Sequence, residues 1–346
     1  MSRNSPRKPL RLGALLPLAL LACLSSPLCA ELAALVHDTS DDSLKVVTVD
    51  SSNGSVAAGS ASAVDCCFVS AGMTAADVAG RRFFASGLEI AGGGLGDPAL
   101  VQLSFDGNSV TSVVPARLPA GVLAYDSAMN RLLSFEFGTD FTAPTLQLIA
   151  IDPLDGSVTE IGSENAVCCE LLTGLSAIDD VAQRLYFVGR DFTTSPWLIQ
   201  SASLVDGSVT QIGPLPADGR PAFLSLDAAR THLEIYMQES TGGAAGLHRV
   251  NVGTGSASAI SVEADDNCCL VGIGETVSRD SAGLAWWMAG SGSGLTPSTG
   301  FMALPTAFDI PSVPSRSVGG GYAIHALVVD GAVANPFSLF SDRFEL

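Results

Sequence analysis

A pattern of four short apolar runs that returns about every fifty residues limits the fold of this 346-residue chain more than any other feature. It is clearest between Gly174 and Gly213, where LSAI (175–178), RLYFV (184–188), WLIQSASL (197–204) and SVTQIG (208–213) follow one another between Asp, Gly or Pro breakers. Short runs rich in Leu, Val, Ile, Thr and aromatics with such boundaries are strands, lettered a to d here. Asp206-Gly207 joins c to d as a hairpin turn, because Gly supplies the positive φ that the turn needs.

Two measures give the same period. An Asp closes strand a at Asp77, Asp126, Asp179, Asp227, Asp280 and Asp330, in steps of 49, 53, 48, 53 and 50. Five residues later an Arg opens strand b at Arg82, Arg131 and Arg184, with His232 and Ala285 in the next two copies. The c–d turn recurs as SSNGSV (51–56), DGNSV (106–110), DGSV (155–158), DGSV (206–209) and GTGSA (253–257). Four strands at this period predict an all-β chain, a six-bladed β-propeller with four antiparallel strands per blade. A lone blade cannot bury both apolar faces, so blades pack face to face around an axis. At the start of the ring LAALV (32–36), LKVVTV (44–49) and SVAAG (55–59) read as b, c and d with no preceding a. IHALVVD (324–330) supplies it, so strands from both chain ends close one blade and remove the free sheet edges.

Steps of 48–50 alternate with steps of 53. The extra residues fall just before strand a in alternate copies, beside Cys66-Cys67, Cys168-Cys169 and Cys268-Cys269. The ring therefore reads as three two-blade units spanning 31–333, followed by a tail, 334–346. Residues 1–30 stand apart: Arg3, Arg7, Lys8 and Arg11 precede an apolar run, Leu12 to Leu24, and a small-residue stretch, Ser25 to Ala30. That is the pattern of a secretory signal peptide cleaved after Ala30, too short for a membrane span. Leu20-Leu21-Ala22-Cys23 loosely resembles a lipobox, which gives lipidation at Cys23 as the alternative. A secreted or periplasmic location is expected.

Removing residues 1–30 takes four basic and no acidic residues from the 17 and 35 of the whole chain, leaving 13 against 35 and a net charge of −22. A surface this acidic repels nucleic acid and anionic lipid. Lys45 is then the one lysine. The six remaining Cys all belong to the three pairs, and an oxidising compartment favours disulfides. Two symmetric pairings stand open. In one, Cys66-Cys67, Cys168-Cys169 and Cys268-Cys269 each close as a vicinal disulfide. In the other, each pair bonds to both neighbouring pairs. The vicinal form is the expectation, with the three pairs as rigid apolar pads at a ligand-binding channel mouth.

Chemistry is hard to find. His37, His232, His248 and His325 are scattered, and no His-Glu-x-x-His, Gly-x-Ser-x-Gly or phosphate-loop pattern occurs. The recurrent Asp residues read as turn caps and ion-pair partners of the Arg five residues on. Asp41-Asp42 and Asp265-Asp266 lack the spacing of a calcium loop. No catalytic residue, metal or cofactor is expected, and the chain is expected to be a monomer.

LIAIDPLDGSVTEIG (148–162) and SASLVDGSVTQIG (201–213) resemble blades of bacterial extracytoplasmic propellers: the YncE-like and quinoprotein-repeat families and the six-bladed lactonase-like group. The resemblance implies the fold. The Trp that quinoprotein repeats carry four residues after the turn Gly is replaced by Glu160 and Gln211, so it does not imply quinone binding. The tail ending, Phe340-Ser-Asp342-Arg-Phe344-Glu345, is similar to C-terminal tails of secreted bacterial proteins and reads as a piece packed outside the ring. Two functions follow as expectations: a non-catalytic propeller that binds a small ligand or a protein at the channel mouth, or a secreted hydrolase or oxidoreductase with a loop-built site.

Overall fold

The computed structural model describes residues 31–38, 40–41, 43–50, 54–57, 63–64, 68–91, 94–106, 110–138, 145–165, 170–191, 196–217, 219–238, 246–262, 270–271, 277–279, 285–291, 299–305, 313–317 and 322–330. All regular structure among them is strand.

Blade 1 holds β1 (Glu31–Asp38), β2 (Ser43–Asp50) and β3 (Ala63–Val64). Blade 2 holds β4 (Phe68–Asp77), β5 (Arg82–Ala91), β6 (Gly94–Ser104) and β7 (Val110–Val113). Blade 3 holds β8 (Ala120–Asp126), β9 (Arg131–Phe137), β10 (Leu146–Ile151) and β11 (Val158–Asn165). Blade 4 holds β12 (Glu170–Asp179), β13 (Arg184–Arg190), β14 (Leu198–Ser203) and β15 (Val209–Pro214). Blade 5 holds β16 (Arg220–Leu226), β17 (His232–Gln238), β18 (Gly246–Asn251) and β19 (Ala257–Val262). A further sheet holds β20 (Leu270–Val271), β21 (Val277–Arg279), β22 (Ala285–Ser291), β23 (Thr299–Pro305) and β24 (Val313–Ser317). The last strand, β25 (Tyr322–Asp330), returns to blade 1 and pairs antiparallel with β1, giving the order β25-β1-β2-β3.

The architecture is a β-propeller of four-stranded antiparallel blades. The expected count of six such blades needs correction: five sheets are four-stranded, and the sheet of β20 to β24 has five strands. Its inner position is split, since β20 and β21 both pair with β22.

The core lies between blades. Ala33, Leu44, Phe83 and Val101 join blades 1 and 2, while Met73, Phe84, Leu123 and Ile149 join blades 2 and 3. Blades 3 and 4 meet through Val122, Leu148, Leu185 and Phe187, and blades 4 and 5 through Leu175, Val188, Leu233 and Ile235. Phe135 and Phe187 pack edge to face across one such seam, centroids 4.8 Å apart.

The repeated turn glycines do two jobs. Gly156, Gly207 and Gly255 have φ of 73°, 73° and 70°, the left-handed region that suits a residue without Cβ. Each also touches the outer strand of the preceding blade. A Cβ on Gly207 would lie 2.2 Å from the Ile161 oxygen, and one on Gly255 2.3 Å from the Ile212 oxygen. Both conformation and blade contact therefore demand glycine, which explains why the sequence period is so easy to see there.

Candidate functional site

Strand direction gives the ring two unlike mouths. At one, inner strands end in the recurrent Asp and the a–b and c–d turns gather. At the other, inner strands begin and the d–a and b–c connections gather.

The turn mouth is tied down by its own residues. The Asp77 carboxylate accepts from the Gly80 amide at 2.8 Å and from Arg82 Nε at 2.8 Å. Burial pushes this carboxyl up, but the Gly80 amide, Arg82 and Tyr125 pull it further down, so it lies below the usual carboxylate range. Asp126 accepts from the Ala128 amide and, at 2.9 Å, from Arg131. Asp179 caps the Val181 and Ala182 amides, but its cation is not the expected Arg184. Arg184 donates to Ser201 Oγ, and Arg230 of blade 5 reaches back to Asp179 at 2.8 Å and to Asp180. That correction turns an intra-blade cap into a link between blades. Arg82 likewise donates to Asn130 Oδ1 of blade 3 at 2.7 Å, and Arg81 pairs with Asp330 of blade 1. With Asp77, Asp126 and Asp179 each capped and paired with an arginine, this mouth reads as scaffold.

His232 fails as a general base in the same region. Thr231 Oγ1 lies 2.9 Å and Asp227 Oδ2 3.5 Å from the same Nδ1, and Asn251 Nδ2 is 3.3 Å from Nε2. Both ring nitrogens are engaged, and the Asp and the hydroxyl crowd one of them instead of flanking the ring.

At the opposite mouth β4, β8, β12, β16 and β25 each carry residues outside the pairing ladder. In β4, Val69 pairs with Gly87 and Thr74 with Ala85, so Ser70 to Met73 stand against Ser86 alone. In β12, Leu171 pairs with Gly189 and Ser176 with Phe187, so Leu172 to Leu175 stand against Val188. In β8, Gly121 to Leu123 stand against Ser134, whose Oγ donates to the Val122 oxygen at 2.6 Å. In β16 the extra residue is Ala222, and in β25 it is His325. Such bulges swing backbone out of the ladder. Gly72, Gly121 and Gly174 take φ of 75°, 74° and 78° there. The bulges of blades 2 and 4 meet in front of blade 3: a Cβ on Gly72 would lie 2.8 Å from Gly174 Cα, and one on Gly174 2.6 Å from Gly72 Cα. They bring the backbones of β4 and β12 together at this mouth.

On this mouth sit polar groups not absorbed by turns. His325 faces His37, ring centroids 6.5 Å apart at 72°. Burial, with the neighbouring His37 charge second, pushes the His325 imidazole down to about 4, so it is neutral at physiological pH. Thr74 Oγ1 donates to the His325 oxygen at 3.3 Å. Lys45 lies 2.7 Å from Asp38 and 2.5 Å from Asp41. Hydrogen bonds to both carboxylates raise its pKa, so it is a pinned cation and not a nucleophile. Arg190 pairs with Glu170 at 2.6 Å and stacks 4.4 Å above the Trp197 ring. Among the described residues no three His, Cys, Asp or Glu side chains are placed to hold a metal.

Cys66, Cys67, Cys168, Cys169, Cys268 and Cys269 lie outside the described residues. The residues that follow each pair are described, and they open inner strands: Phe68 in β4, Glu170 in β12, Leu270 in β20. The bulges themselves went unread in the sequence. Their signal is a glycine six residues after the first Cys of each pair, at Gly72, Gly174 and Gly274.

No family model matches the chain, and no curated protein matches it. Its likeness is to solved folds. A TolB structure from Acinetobacter baumannii superposes with a TM-score of 0.56 at 10% identity, covering 90% of this chain and 69% of that one. A putative TolB from Agrobacterium tumefaciens gives 0.51 at 10% identity, covering 87% and 98%. A chain of a nidogen/laminin complex gives 0.54 at 12% identity, covering 88% and 99%. At these identities the likeness shows the β-propeller fold alone.

Proposed function

We propose that the chain is a secreted or periplasmic propeller of six blades that binds a small ligand or a protein segment at the mouth where the inner strands begin, without catalysing a reaction. One observation carries this reading. In this reading the backbone brought together at Gly72 and Gly174 forms a floor under that mouth, and among the described residues the groups on this face include a neutral imidazole and paired ions. A floored cup bordered by a few fixed polar groups is a binding geometry. The sixth blade is the sheet of β20 to β24, in which β20 follows the third Cys pair as β4 and β12 follow the first two. The three Cys pairs, as vicinal disulfides, stiffen the entries to these three strands. Two features support export: the tripartite N-terminus, and the absence among the described residues of any helix long and apolar enough to cross a membrane.

The test uses the exported protein with Glu31 as its first residue, confirmed by intact mass. A thermal-shift screen against sugars, amino acids, organic acids and short peptides is expected to give a ligand whose stabilisation is lost in Gly174→Val. Turnover of ester, lactone or glycoside substrates by the same material overturns the non-catalytic reading.

A further inference from the structure

The three most exposed large apolar side chains among the described residues stand at turn tips on one face of the ring: Val205 at 76%, Val181 at 74% and Leu154 at 69%. Leu154 and Val205 hold the same position in the c–d turns of blades 3 and 4, and each is followed by an acid, Asp155 and Asp206. The same two positions in blades 1 and 5 hold Ser52-Asn53 and Gly253-Thr254. All four turns are closed alike, by a glycine amide donating to the oxygen of Asp50, Asp152, Ser203 or Asn251 at 2.7, 2.9, 2.9 and 2.8 Å. The turn is built equally well without an apolar tip or an acid, so its geometry explains neither.

The three tips adjoin. Within blade 4 the Leu204 amide donates to the Gln183 oxygen at 2.8 Å, which ties the Val205 turn to the Val181 turn. Between blades, Asn165 Nδ2 donates to the Gly207 oxygen at 2.9 Å, so the Val205 turn rests on β11, the strand that leaves the Leu154 turn. Apolar side chains gathered in this way mark a contact surface.

The charges beside the tips identify the occupant. Asp77, Asp126 and Asp179 are answered by arginines. Asp152, Asp155 and Asp206 are exposed and accept only from amides and hydroxyls of their own turns, without an ion-pair partner among the described residues. The Ser157 amide holds the Asp155 carboxyl below the usual carboxylate range, and the Ser208 hydroxyl does the same for Asp206, so both are ionised at neutral pH. Apolar tips framed by uncompensated negative charge are complementary to a surface that carries Lys or Arg among apolar side chains. A second copy and an anionic bilayer are disfavoured, because a chain with 13 basic and 35 acidic residues after position 30 repels both.

We propose that the turn tips of blades 3 and 4 dock a protein partner through a cationic, apolar segment. Its aliphatic side chains cover Leu154, Val181 and Val205, and its Lys or Arg side chains meet Asp152, Asp155 and Asp206. The site lies on the mouth opposite the cup and is independent of what the cup binds.

Fluorescence anisotropy on the full exported chain tests it, with a labelled peptide of Lys, Leu and Ser in equal parts as the probe. Binding at low ionic strength is expected to weaken about tenfold in the double variant Leu154→Ser with Val205→Ser. A similar loss, about tenfold, is expected for Asp155→Asn with Asp206→Asn, in which Asn still caps each turn. Asp97→Asn with Glu164→Gln removes the same charge from exposed acids near the other mouth, and is expected to change the affinity by less than about twofold. Failure of the probe to bind, an equal loss in this last variant, or an unchanged affinity in the serine variant overturns the proposal. Dimerisation in sedimentation that the serine variant abolishes would give the face to a second copy, and overturns it as well.

Discussion

The two mouths of the ring come from one repeat, yet they are held in different ways. At the turn mouth Gly207, Gly255 and Asp179 each answer to two demands at once, their own turn and the neighbouring blade. Gly207 must take φ of 73° and must also let the Ile161 oxygen approach; Asp179 caps its own turn and also receives Arg230 from blade 5. At the cup mouth Gly72 and Gly174 also carry two demands, a left-handed φ and a close approach to each other, but this constraint does not repeat from blade to blade. Residues leave the ladder in different numbers from blade to blade, and His325, Ala222 and the glycines take corresponding places without a common side chain. Redundant constraint preserves a period, while a binding surface needs positions that are free to differ.

Substituting the doubly constrained glycine should break this contrast most severely. Gly207→Val must pay the left-handed backbone strain and push the Ile161 carbonyl away, so it is expected to lose about 4 kcal/mol. The urea midpoint measures it. A valine at Gly253, in the next c–d turn but at 3.4 Å from its nearest contact and without a left-handed φ, should shift the midpoint far less. Equal losses at both positions would mean that blade contact is not what fixes the glycine.

The cup mouth should show itself through pH. His325 has its pKa depressed to about 4 by burial, against an ordinary value of 6.5. The unfolded chain therefore binds a proton that the folded chain refuses between those values. The stability from keeping this imidazole neutral is complete above about 6.5 and is lost as the pH falls through 4. The loss is at most about 3 kcal/mol, since one pKa unit is worth about 1.4 kcal/mol. His325→Gln is expected to flatten urea midpoints between pH 7 and 4 relative to the parent chain. An unchanged slope would place the titration elsewhere.

The sequence revealed the turn mouth and little of the cup, for the same physical reason. Asp77 with Arg82, Asp126 with Arg131 and the Asp-Gly turns are local patterns, set by residues a few positions apart, and they recur because every blade needs them. The pairing of β25 with β1 was also legible, because a missing strand at one end matched a surplus at the other. Arg184 misled because its nearest Asp in sequence is served in space by Arg230, which comes from the next blade. The bulges were hidden because their effect is a meeting of Gly72 with Gly174, two blades apart, which no local spacing encodes. Among the described residues five sheets are four-stranded in place of six, and in the remaining sheet β20 and β21 both pair with β22. The six Cys, the feature the sequence placed at the mouth, fall outside the described residues, so the disulfide pairing rests on the adjacency of each pair and on export.

The smallest expected effect concerns Lys45, one cation of the cup mouth, and it sharpens the contrast with the Arg belt opposite. Lys45 is held between Asp38 and Asp41 of its own blade, where Arg81, Arg82 and Arg230 each reach a neighbouring blade. The Asp38 carboxyl is lowered to about 2, first by its hydrogen bond to Lys45 and then by those from Ser40. A carboxylate held low contributes stability above its ordinary pKa and loses it as the pH falls toward the folded value. Lys45→Met keeps the aliphatic stem and removes the charge, which leaves Asp38 with Ser40 alone. The expected loss is about 1 kcal/mol at pH 7, because the pair is near the surface and confined to one blade. The difference between variant and parent should be constant down to about pH 4 and shrink as the pH falls toward 2, where Asp38 protonates in both chains. Urea midpoints at pH 7, 4 and 3 measure this. A loss much above 1 kcal/mol, or one that persists undiminished at pH 3, would show that this mouth too is bound by its ions, and the difference between the two faces would then lie in their backbones alone.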